Sequence, residues 1–348
     1  MIYSQTLTER RMTEFEMTTV KGAQDSKQYA GTINIRLLGR LGNQFFEYAT
    51  VRGLQEKFYK NYKIVINTRL YDRVSEDQKR SDGQENVLQY FNVKDVEYIS
   101  KRLRYTRTWF QNVICRSYYY INRFMDKRLM RKSQAFVNKM LQPIFNIFGI
   151  YNPFNVDVPH KKPLFSLTRN IFYDCMSWNY RDFDDIRDAL LEEFTPIYDV
   201  LPHNEAFLKD IQESESVCVT IRRGDYLSIA NLNVCKEEYF VTAMKAIREE
   251  LPNCKFFVFS DDVEDVKKNM HFPFDVTYER GDDPVWEKLR LMYSCKHFII
   301  SNSTFSWWAQ YLSRNPDKIV YAPIPWVWSQ PKGSTNYPPN ARLIQCYK

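Results

Sequence analysis

The sequence predicts an α/β fold in which parallel sheets carry helices on both faces. In the second half of the chain, short apolar strands alternate with helical stretches, which is the pattern of repeated βαβ units. Three of these strands end in polar residues, at 222–225, 260–262 and 301–306. Because the carboxyl ends of parallel strands lie at one edge of a sheet, these polar residues are predicted to form one ligand-binding rim.

The individual elements follow from the spacing of apolar residues along the chain. Apolar, largely β-branched or aromatic runs predict strands at 33–37, 63–66, 217–221, 256–259, 297–300 and 318–322. Apolar residues three or four positions apart predict helices over 183–194, 205–213, 236–251, 263–270 and 286–294. Two further helices are predicted to begin at 43–44 and within 301–308. The strands and helices alternate, as an α/β fold requires.

Length and composition indicate two globular domains. The chain has 348 residues, of which 44% are hydrophobic and 26% are charged, so it can bury a sizeable core. Residues 1–29 are polar without apolar periodicity and are predicted to form a flexible tail. Pro196 and Pro202 indicate a passage between domains. We therefore predict an N-terminal domain over 30–200 and a C-terminal domain over 201–348.

Most of the positive charge lies in one segment of the N-terminal domain, residues 101–170. This basic segment has 14 Lys and Arg residues against Asp126 and Asp157, a charge of +12, whereas the rest of the chain carries −5. Aromatic residues are interleaved with these charges, which suits an anionic membrane surface or an acidic acceptor. The alternative is an amphipathic helical insertion with buried aromatics and solvated charges. No nucleic-acid-binding motif is present, so no nucleic acid partner is predicted.

The cysteine pattern and the hydropathy of the chain predict where in the cell the protein is located. The seven cysteines are scattered and include no Cys-x-x-Cys pair, which favours reduced thiols and a cytoplasmic protein. No run of about 18 apolar residues could span a bilayer, and no secretory signal is evident. Any membrane contact is therefore predicted to be peripheral, on the inner face.

The strand at 217–221 leads into the residues with the clearest chemistry. Arg222 and Arg223 are adjacent at its carboxyl end, and guanidinium groups bind phosphate oxygens in a planar, bidentate manner. Asp225 could hold one arginine in place or act as a base. A purely structural Arg–Asp pair at a strand end is the alternative interpretation.

Four motifs in this order resemble those of the alpha-1,2-fucosyltransferase family. The family's G-x-L-G-N-Q-x-F is matched at residues 39–46, and its R-R-G-D-Y lies within the match at 221–226. F-S-D-D is matched at 259–262, and the closing block that ends in N-S-S-F-S-W-W is matched at 291–308 with Thr304 in place of a serine. The resemblance covers roughly residues 31–330, with the basic segment divergent.

The resemblance implies a GT-B-like fold, with two Rossmann-like domains facing a cleft and a basic helical insertion in the first. It also implies inverting transfer of L-fucose from GDP-fucose to O2 of a terminal β-galactoside, with the C-terminal domain holding the donor. Charge builds on the leaving diphosphate, so fixed cations there should lower the barrier. Arg223 is predicted to bridge this diphosphate, while Arg222 either does the same or braces Asp225.

Other site residues follow from the same resemblance. The predicted catalytic residues are Arg222, Arg223, Asp225 and Asn43. The predicted donor contacts are Thr220, Arg222, Arg223, Asp261, Asp262, Asn302, Ser303, Thr304 and Phe305. The residues predicted on the acceptor side of the cleft are Arg40, Asn43 and Gln44. No metal or other cofactor is predicted, because two arginines can neutralise a diphosphate and the aspartate pairs lack an aspartate–x–aspartate spacing.

Two departures from the family pattern keep other functions open. Thr220 stands where the family usually has histidine, and the acidic residue usually found shortly before Leu291-Met292 is altered, with Glu287 as its possible substitute. The alternatives are a non-catalytic relative that binds a guanine nucleotide or a glycan, and a polyanion-binding protein of the membrane surface.

Overall fold

The computed structural model describes residues 28–74, 84–124, 141, 143–151, 165–173, 178–329 and 337–347. Nearly all of the predicted tail, Cys175 and much of the basic segment lie outside the described residues.

The first sheet is parallel throughout. Within the described residues it has five strands in the order β3-β2-β1-β5-β4. They are β1 (Gly31–Arg36), β2 (Tyr62–Asn67), β3 (Val96–Ile99), β4 (Ile150–Tyr151) and β5 (Asn170–Tyr173). Helix α1 (Leu41–Phe58) follows β1, and its Phe45 and Ala49 share a buried core with Ile33 and Ile35 of β1. The second long helix, α2 (Trp109–Phe124), lies in the connection between β3 and β4.

The basic segment is built into this first unit. It is helical in α2, as predicted, and it also supplies strand β4. Gln111 of α2 is fully buried and donates hydrogen bonds to the carbonyl oxygens of Phe148 and Asn170, at 2.9 and 2.7 Å. The guanidinium of Arg107 lies 4.0 Å from the centre of the Phe172 ring of β5. These contacts hold the start of α2 against the sheet.

The second sheet has six parallel strands among the described residues, in the order β11-β10-β9-β6-β7-β8. They are β6 (Ser216–Ile221), β7 (Lys255–Ser260), β8 (Val276–Tyr278), β9 (His297–Ile299), β10 (Val320–Ile324) and β11 (Arg342–Gln345). Helix α3 (Arg187–Glu193) precedes this sheet in the chain. The helices that follow are α4 (Glu205–Glu213), α5 (Gly224–Ser228), α6 (Glu237–Glu250), α7 (Val263–Asn269), α8 (Val285–Tyr293) and α9 (Thr304–Leu312).

The strand order reverses between β6 and β9. From β6 the chain proceeds to β7 and β8 on one side, and then returns to β9, β10 and β11 on the other. In open α/β sheets, ligands bind in the crevice outside the strand ends at such a reversal. The predicted α/β class and its GT-B-like pair of parallel sheets are confirmed.

A cluster of aromatic side chains joins the two units through α1 and α9. Phe45 stacks on Phe194 with ring centres 3.8 Å apart, and Phe46 lies 5.0 Å from Trp308. Trp307 and Trp308 are fully buried. Aromatic pairs at these separations add to the stability that burial gives, so the cluster fixes α1 against α9.

Candidate active site

Arg222 lies between two carboxylates at the carboxyl end of β6. Every residue of β6 is buried, so the strand fixes the position of Arg222 at the edge of the sheet. Its Nη2 lies 2.7 Å from Asp225 Oδ1, and its Nη1 lies 3.2 Å from Asp261 Oδ2. The ring of Tyr226 is 5.1 Å from the guanidinium. A Cβ added at Gly224 would lie 2.4 Å from Asp261 Oδ2, so only glycine lets that carboxylate reach Arg222.

Arg223 has a different set of partners. Its side chain forms an ion pair with Asp265 of α7, and this hydrogen bond lowers the pKa of Asp265 below its usual range. Its backbone N–H donates to Asp261 Oδ1 at 2.7 Å. Asp262 caps α7 by accepting from the backbone N–H of Asp265 at 3.0 Å. Arg223 therefore attaches α7 to the end of β6, whereas Arg222 is held by Asp225 and Asp261.

Arg40 approaches the same carboxylate from the first unit. Its Nη1 lies 3.5 Å from Asp225 Oδ2, and both side chains are a little over two-fifths exposed. Asp225 therefore has one oxygen on Arg222 and the other near Arg40. Two guanidinium groups from opposite sides of the cleft converge on one acidic side chain.

The N-terminus of α9 lies beside these charges, at the end of β9. Ser303 caps the helix by accepting from the backbone N–H of Phe305 at 3.3 Å. Thr304 Oγ1 donates to Asn43 Oδ1 at 3.1 Å, and Trp308 Nε1 donates to the Gly42 carbonyl oxygen at 2.9 Å. Backbone N–H groups at a helix N-terminus favour anions. The nearby guanidinium groups supply the charge that such a site needs.

Three predicted ligand residues are buried and already hydrogen bonded within the protein. Thr220 Oγ1 accepts from the backbone N–H of Ser301 at 3.1 Å. Gln44 donates to the Glu85 carbonyl oxygen at 2.7 Å, and Asn302 donates to the Trp326 carbonyl oxygen at 2.9 Å. These side chains hold the loops of the site in place. Phe305 is half-buried and packs against the core.

One ion pair beneath the site was not found from the sequence. Glu279, at the end of β8, accepts from the backbone N–H of Ser260 at 2.9 Å and from Lys288 of α8 at 3.0 Å. Burial raises the pKa of Glu279, although Lys288 opposes this effect. The two residues fix the ends of β7 and β8 to α8. Neither lies in a recognised motif, so no local pattern could have revealed the pair.

The described part of the chain has neither a cluster of metal ligands nor a helix suited to spanning a membrane. No group of three or more His, Cys, Asp or Glu side chains is arranged to hold a metal ion there. Nor does any helix in that part combine the length and apolarity that crossing a bilayer requires. Cys115, Cys218, Cys235, Cys254, Cys295 and Cys346 are free thiols.

The motif residues also match a known family. The model for "Glycosyl transferase family 11" matches residues 114–337. The chain belongs to glycosyl transferase family 11. The predicted relationship to alpha-1,2-fucosyltransferases is therefore confirmed at the level of the family.

Similar members of family 11 come from bacteria and animals. An alpha-1,2-colitosyltransferase of Escherichia coli is 31% identical over 300 residues, covering 84% of this chain and 91% of that protein. A galactoside alpha-(1,2)-fucosyltransferase 2 of Mus musculus is 25% identical over 326 residues, covering 89% and 77%. Among solved structures, the fucosyltransferase NodZ from Bradyrhizobium matches with a TM-score of 0.45 and 13% identity, covering 80% of this chain and 93% of that one.

Proposed function

We propose that this family 11 protein transfers L-fucose from GDP-fucose to O2 of a terminal β-galactoside of a glycan, with inversion at the sugar. The observation that carries the proposal is the approach of Arg222 and Arg40 to one point beside the N-terminus of α9. That point lies where the strand order reverses, which suits a sugar diphosphate. The names of the relatives, which include galactoside fucosyltransferases, support the choice of sugar and acceptor.

In this mechanism the protein acts mainly on the leaving group. The acceptor hydroxyl attacks the anomeric carbon from one face while the bond to the diphosphate breaks on the other, and the bonding electrons pass to the diphosphate oxygen. The proton that the hydroxyl loses passes to solvent. Arg222 and the N–H groups at the start of α9 stabilise that charge as it develops. We assign the diphosphate contact to Arg222 rather than Arg223, because Arg222 shares Asp225 with Arg40 of the other unit, whereas Arg223 pairs with Asp265 of α7.

Asp225 serves in this proposal as a brace. Its two oxygens lie against guanidinium groups from the two units, so it orients both. Asp261 supports Arg222 from the other side, at 3.2 Å. Asn43 and Thr304 link the two units at the junction where donor and acceptor would meet.

The division of labour between the two units is also a proposal. The strands of the second sheet come from residues 216–345 and carry Arg222, Asp261 and the start of α9, so we assign the donor to this unit. The strands of the first sheet come from residues 31–173, and we assign the acceptor to their carboxyl edge. Donor contacts by Thr220, Asp262, Asn302, Ser303 and Phe305 stay predictions.

The decisive experiment measures fucose transfer and GDP release from GDP-fucose with a panel of β-galactosides. We expect acceptor-dependent GDP release that is unchanged in excess chelator, because the guanidinium groups and α9 neutralise the diphosphate. GDP binding without any turnover would favour the non-catalytic alternative. Loss of activity on chelation, restored by a divalent ion, would contradict the assignment of charge neutralisation to Arg222.

We further propose that the start of α2 rests on an anionic membrane surface, on the cytoplasmic side. Trp109 is 80% exposed and Tyr105 is 63% exposed, and Val113 lies one turn beyond Trp109 and is also exposed. Residues 103–124 include four Arg and no Asp or Glu. A charged surface with protruding aromatic side chains is typical of proteins that bind the lipid headgroup region.

Vesicle binding tests this membrane contact. We expect the protein to bind vesicles that contain phosphatidylserine. Salt should weaken this binding, because charges are screened beyond about 8 Å at physiological ionic strength. Trp109→Ser should also weaken it, because it removes the exposed aromatic side chain. Leu343→Ser, at an exposed leucine of β11, is the matched control and should bind as the wild type does. Equal binding to neutral and anionic vesicles would contradict the proposal.

A further inference from the structure

The carboxyl edge of the first sheet carries a continuous set of basic residues. Three loops form this edge, and the structure describes their residues 37–40, 67–74 and 99–105, after β1, β2 and β3 respectively. These stretches include six Lys and Arg, namely Arg40, Arg69, Arg73, Lys101, Arg102 and Arg104, against one acidic residue, Asp72. We call Arg69, Lys101 and Arg102 the basic row.

Hydrogen bonds join the three loops into one surface. Tyr71 donates through its hydroxyl to the Gly39 carbonyl oxygen at 2.8 Å, which ties the second loop to the first. Asn67 Nδ2 donates to the Lys101 carbonyl oxygen at 2.8 Å, which ties the third loop to the second. Adjacent strands lie about 4.8 Å apart, so the end of β3 is roughly 10 Å from the end of β1. The basic row therefore continues outward from Arg40, within the span of an oligosaccharide.

Within the part of the chain that the structure describes, no carboxylate pairs with the charges of the basic row. Lys101 and Arg102 are exposed and Arg69 is half-exposed. By contrast, exposed bases at the opposite edge of the sheet have acidic neighbours, such as Lys60 with Glu56 at 3.0 Å. Charges of one sign along a cleft raise the local concentration of the opposite ion and speed its association.

From this placement we infer that the acceptor is an anionic glycan, in which sugars next to the reactive galactoside carry carboxylate or phosphate groups. The inference rests on the proposed function, because it assigns the acceptor to the carboxyl edge of the first sheet. The galactoside hydroxyl lies at the junction of Asn43 and Thr304, and the following sugars extend along the basic row. Guanidinium groups bind carboxylate and phosphate oxygens alike, so the shared feature is the negative charge.

The location of the basic row favours a glycan over a lipid surface. It is tied to the loop of Arg40, which reaches across the cleft to Asp225. The exposed Trp109 that we assign to lipid belongs to α2, whose Gln111 is bonded to the carbonyl oxygens of Phe148 and Asn170, at the amino ends of β4 and β5. The two surfaces can therefore be tested with separate substitutions.

The experiment compares a β-galactosyl uronate, its methyl ester and a β-galactoside of a sugar phosphate as acceptors. One exposed ion pair strengthens binding by a factor of roughly 1.4 to 5. Three such pairs with the basic row should therefore give the free acid roughly a tenfold higher kcat/KM than the ester at low salt. Raising the salt should remove the difference. Arg69→Gln/Lys101→Gln/Arg102→Gln should abolish it and leave turnover of the ester within about twofold.

The matched control has the same change of charge at exposed lysines away from the edge. Lys60→Gln/Lys94→Gln/Lys245→Gln should keep the wild-type preference for the acid. Equal use of acid, phosphate and ester by the wild type would overturn the inference and leave the proposed function intact. A preference for the phosphate alone would support the inference and identify the group.

Direct binding of an acidic oligosaccharide distinguishes a failure of this inference from a failure of the proposed function. An oligouronate should bind the protein without any donor, and the triple substitution in the basic row should weaken that binding roughly tenfold. Such binding without fucose transfer to any acceptor would support the inference and contradict the proposed function. If the triple variant instead lost binding to anionic vesicles while keeping oligouronate binding, the basic row would be a lipid-binding surface and the inference would fail.

Discussion

Thr304 donates a hydrogen bond to the side-chain oxygen of Asn43 over 3.1 Å, and this contact joins the N-terminus of α9 to that of α1. The two helices belong to opposite units, and each follows the carboxyl end of a sheet strand. The positive ends of both helix dipoles therefore point toward the same region. Both helix dipoles consequently favour negative charge in this region, in addition to the effect of the arginine side chains.

The close approach of α1 and α9 depends on Gly42. A Cβ added there would lie 2.5 Å from Thr304 Oγ1 and 2.6 Å from the Phe305 nitrogen, so Gly42→Ala must move α9. We expect a loss of stability of about 1–3 kcal/mol, typical of overpacking, together with a raised KM for GDP-fucose. Thermal unfolding and steady-state kinetics measure the two effects.

Gly53→Ala is the matched control for this prediction. It makes the same change on the same helix, where the added Cβ would lie 2.2 Å from the Asp182 carbonyl oxygen, away from the site. It should destabilise the protein similarly while donor KM stays near normal. Equal kinetic defects in both variants would show that Gly42 acts only through stability.

The two adjacent arginines should differ in their effects on turnover. Arg222→Ala removes the guanidinium that we propose contacts the diphosphate, and it should reduce kcat by roughly 100- to 1000-fold. Arg222→Lys keeps the charge without the planar fork, so it should recover only part of the rate. Arg223→Ala removes the ion pair to Asp265 and should mainly lower stability. A folded Arg222→Ala variant with normal kcat would contradict the assignment.

Much of the second sheet was predictable because its central strands are buried on both faces. β6, β7 and β9 are continuous apolar runs, and each was predicted to within one residue at either end. β3, β4, β5, β8 and β11 were not predicted. β3, β8 and β11 are edge strands with exposed or half-exposed side chains, so their sequences lack an apolar run, and β4 and β5 have only two and four residues.

The site was predictable as a set of motifs but not as a set of contacts. The polar strand ends were predicted to meet, and Arg222, Asp225 and Asp261 do so. The separate roles of Arg222 and Arg223 depend on Asp265, which is 42 positions from Arg223. Sequence spacing carries no information on which neighbour a side chain reaches over such a separation.

Thr220 offers a test of whether a buried hydroxyl supports the donor loop. Its Oγ1 accepts from the Ser301 N–H, so Thr220→Val keeps the shape but leaves that donor unsatisfied. Such a loss costs about 1–3 kcal/mol, and it should also raise the KM for GDP-fucose because Ser301 leads into the start of α9. Thr220→Ser retains the acceptor and should behave nearly as the wild type. Identical stability of the Val and Ser variants would contradict this role.

Lys318 should make stability depend on pH in the alkaline range. Its Nζ donates to the Gln310 carbonyl oxygen near the end of α9, and burial, together with Arg187, lowers its pKa to about 8. Between this pKa and the ordinary value of about 10.4, the unfolded chain binds more protons than the folded one. The free energy of unfolding therefore rises as pH increases through this window, and the penalty is fully present below pH 8.

The measurement compares wild type with Lys318→Met by urea unfolding at pH 7 and pH 9.5. Other groups titrate equally in the two proteins, so the difference isolates Lys318. The wild type should gain roughly 1–2 kcal/mol relative to the variant as the pH rises. The control, Lys245→Met, replaces an exposed lysine of α6 and should show no such change. A constant difference between wild type and Lys318→Met would mean that Lys318 loses no proton in this range, and that the end of α9 holds it fully charged.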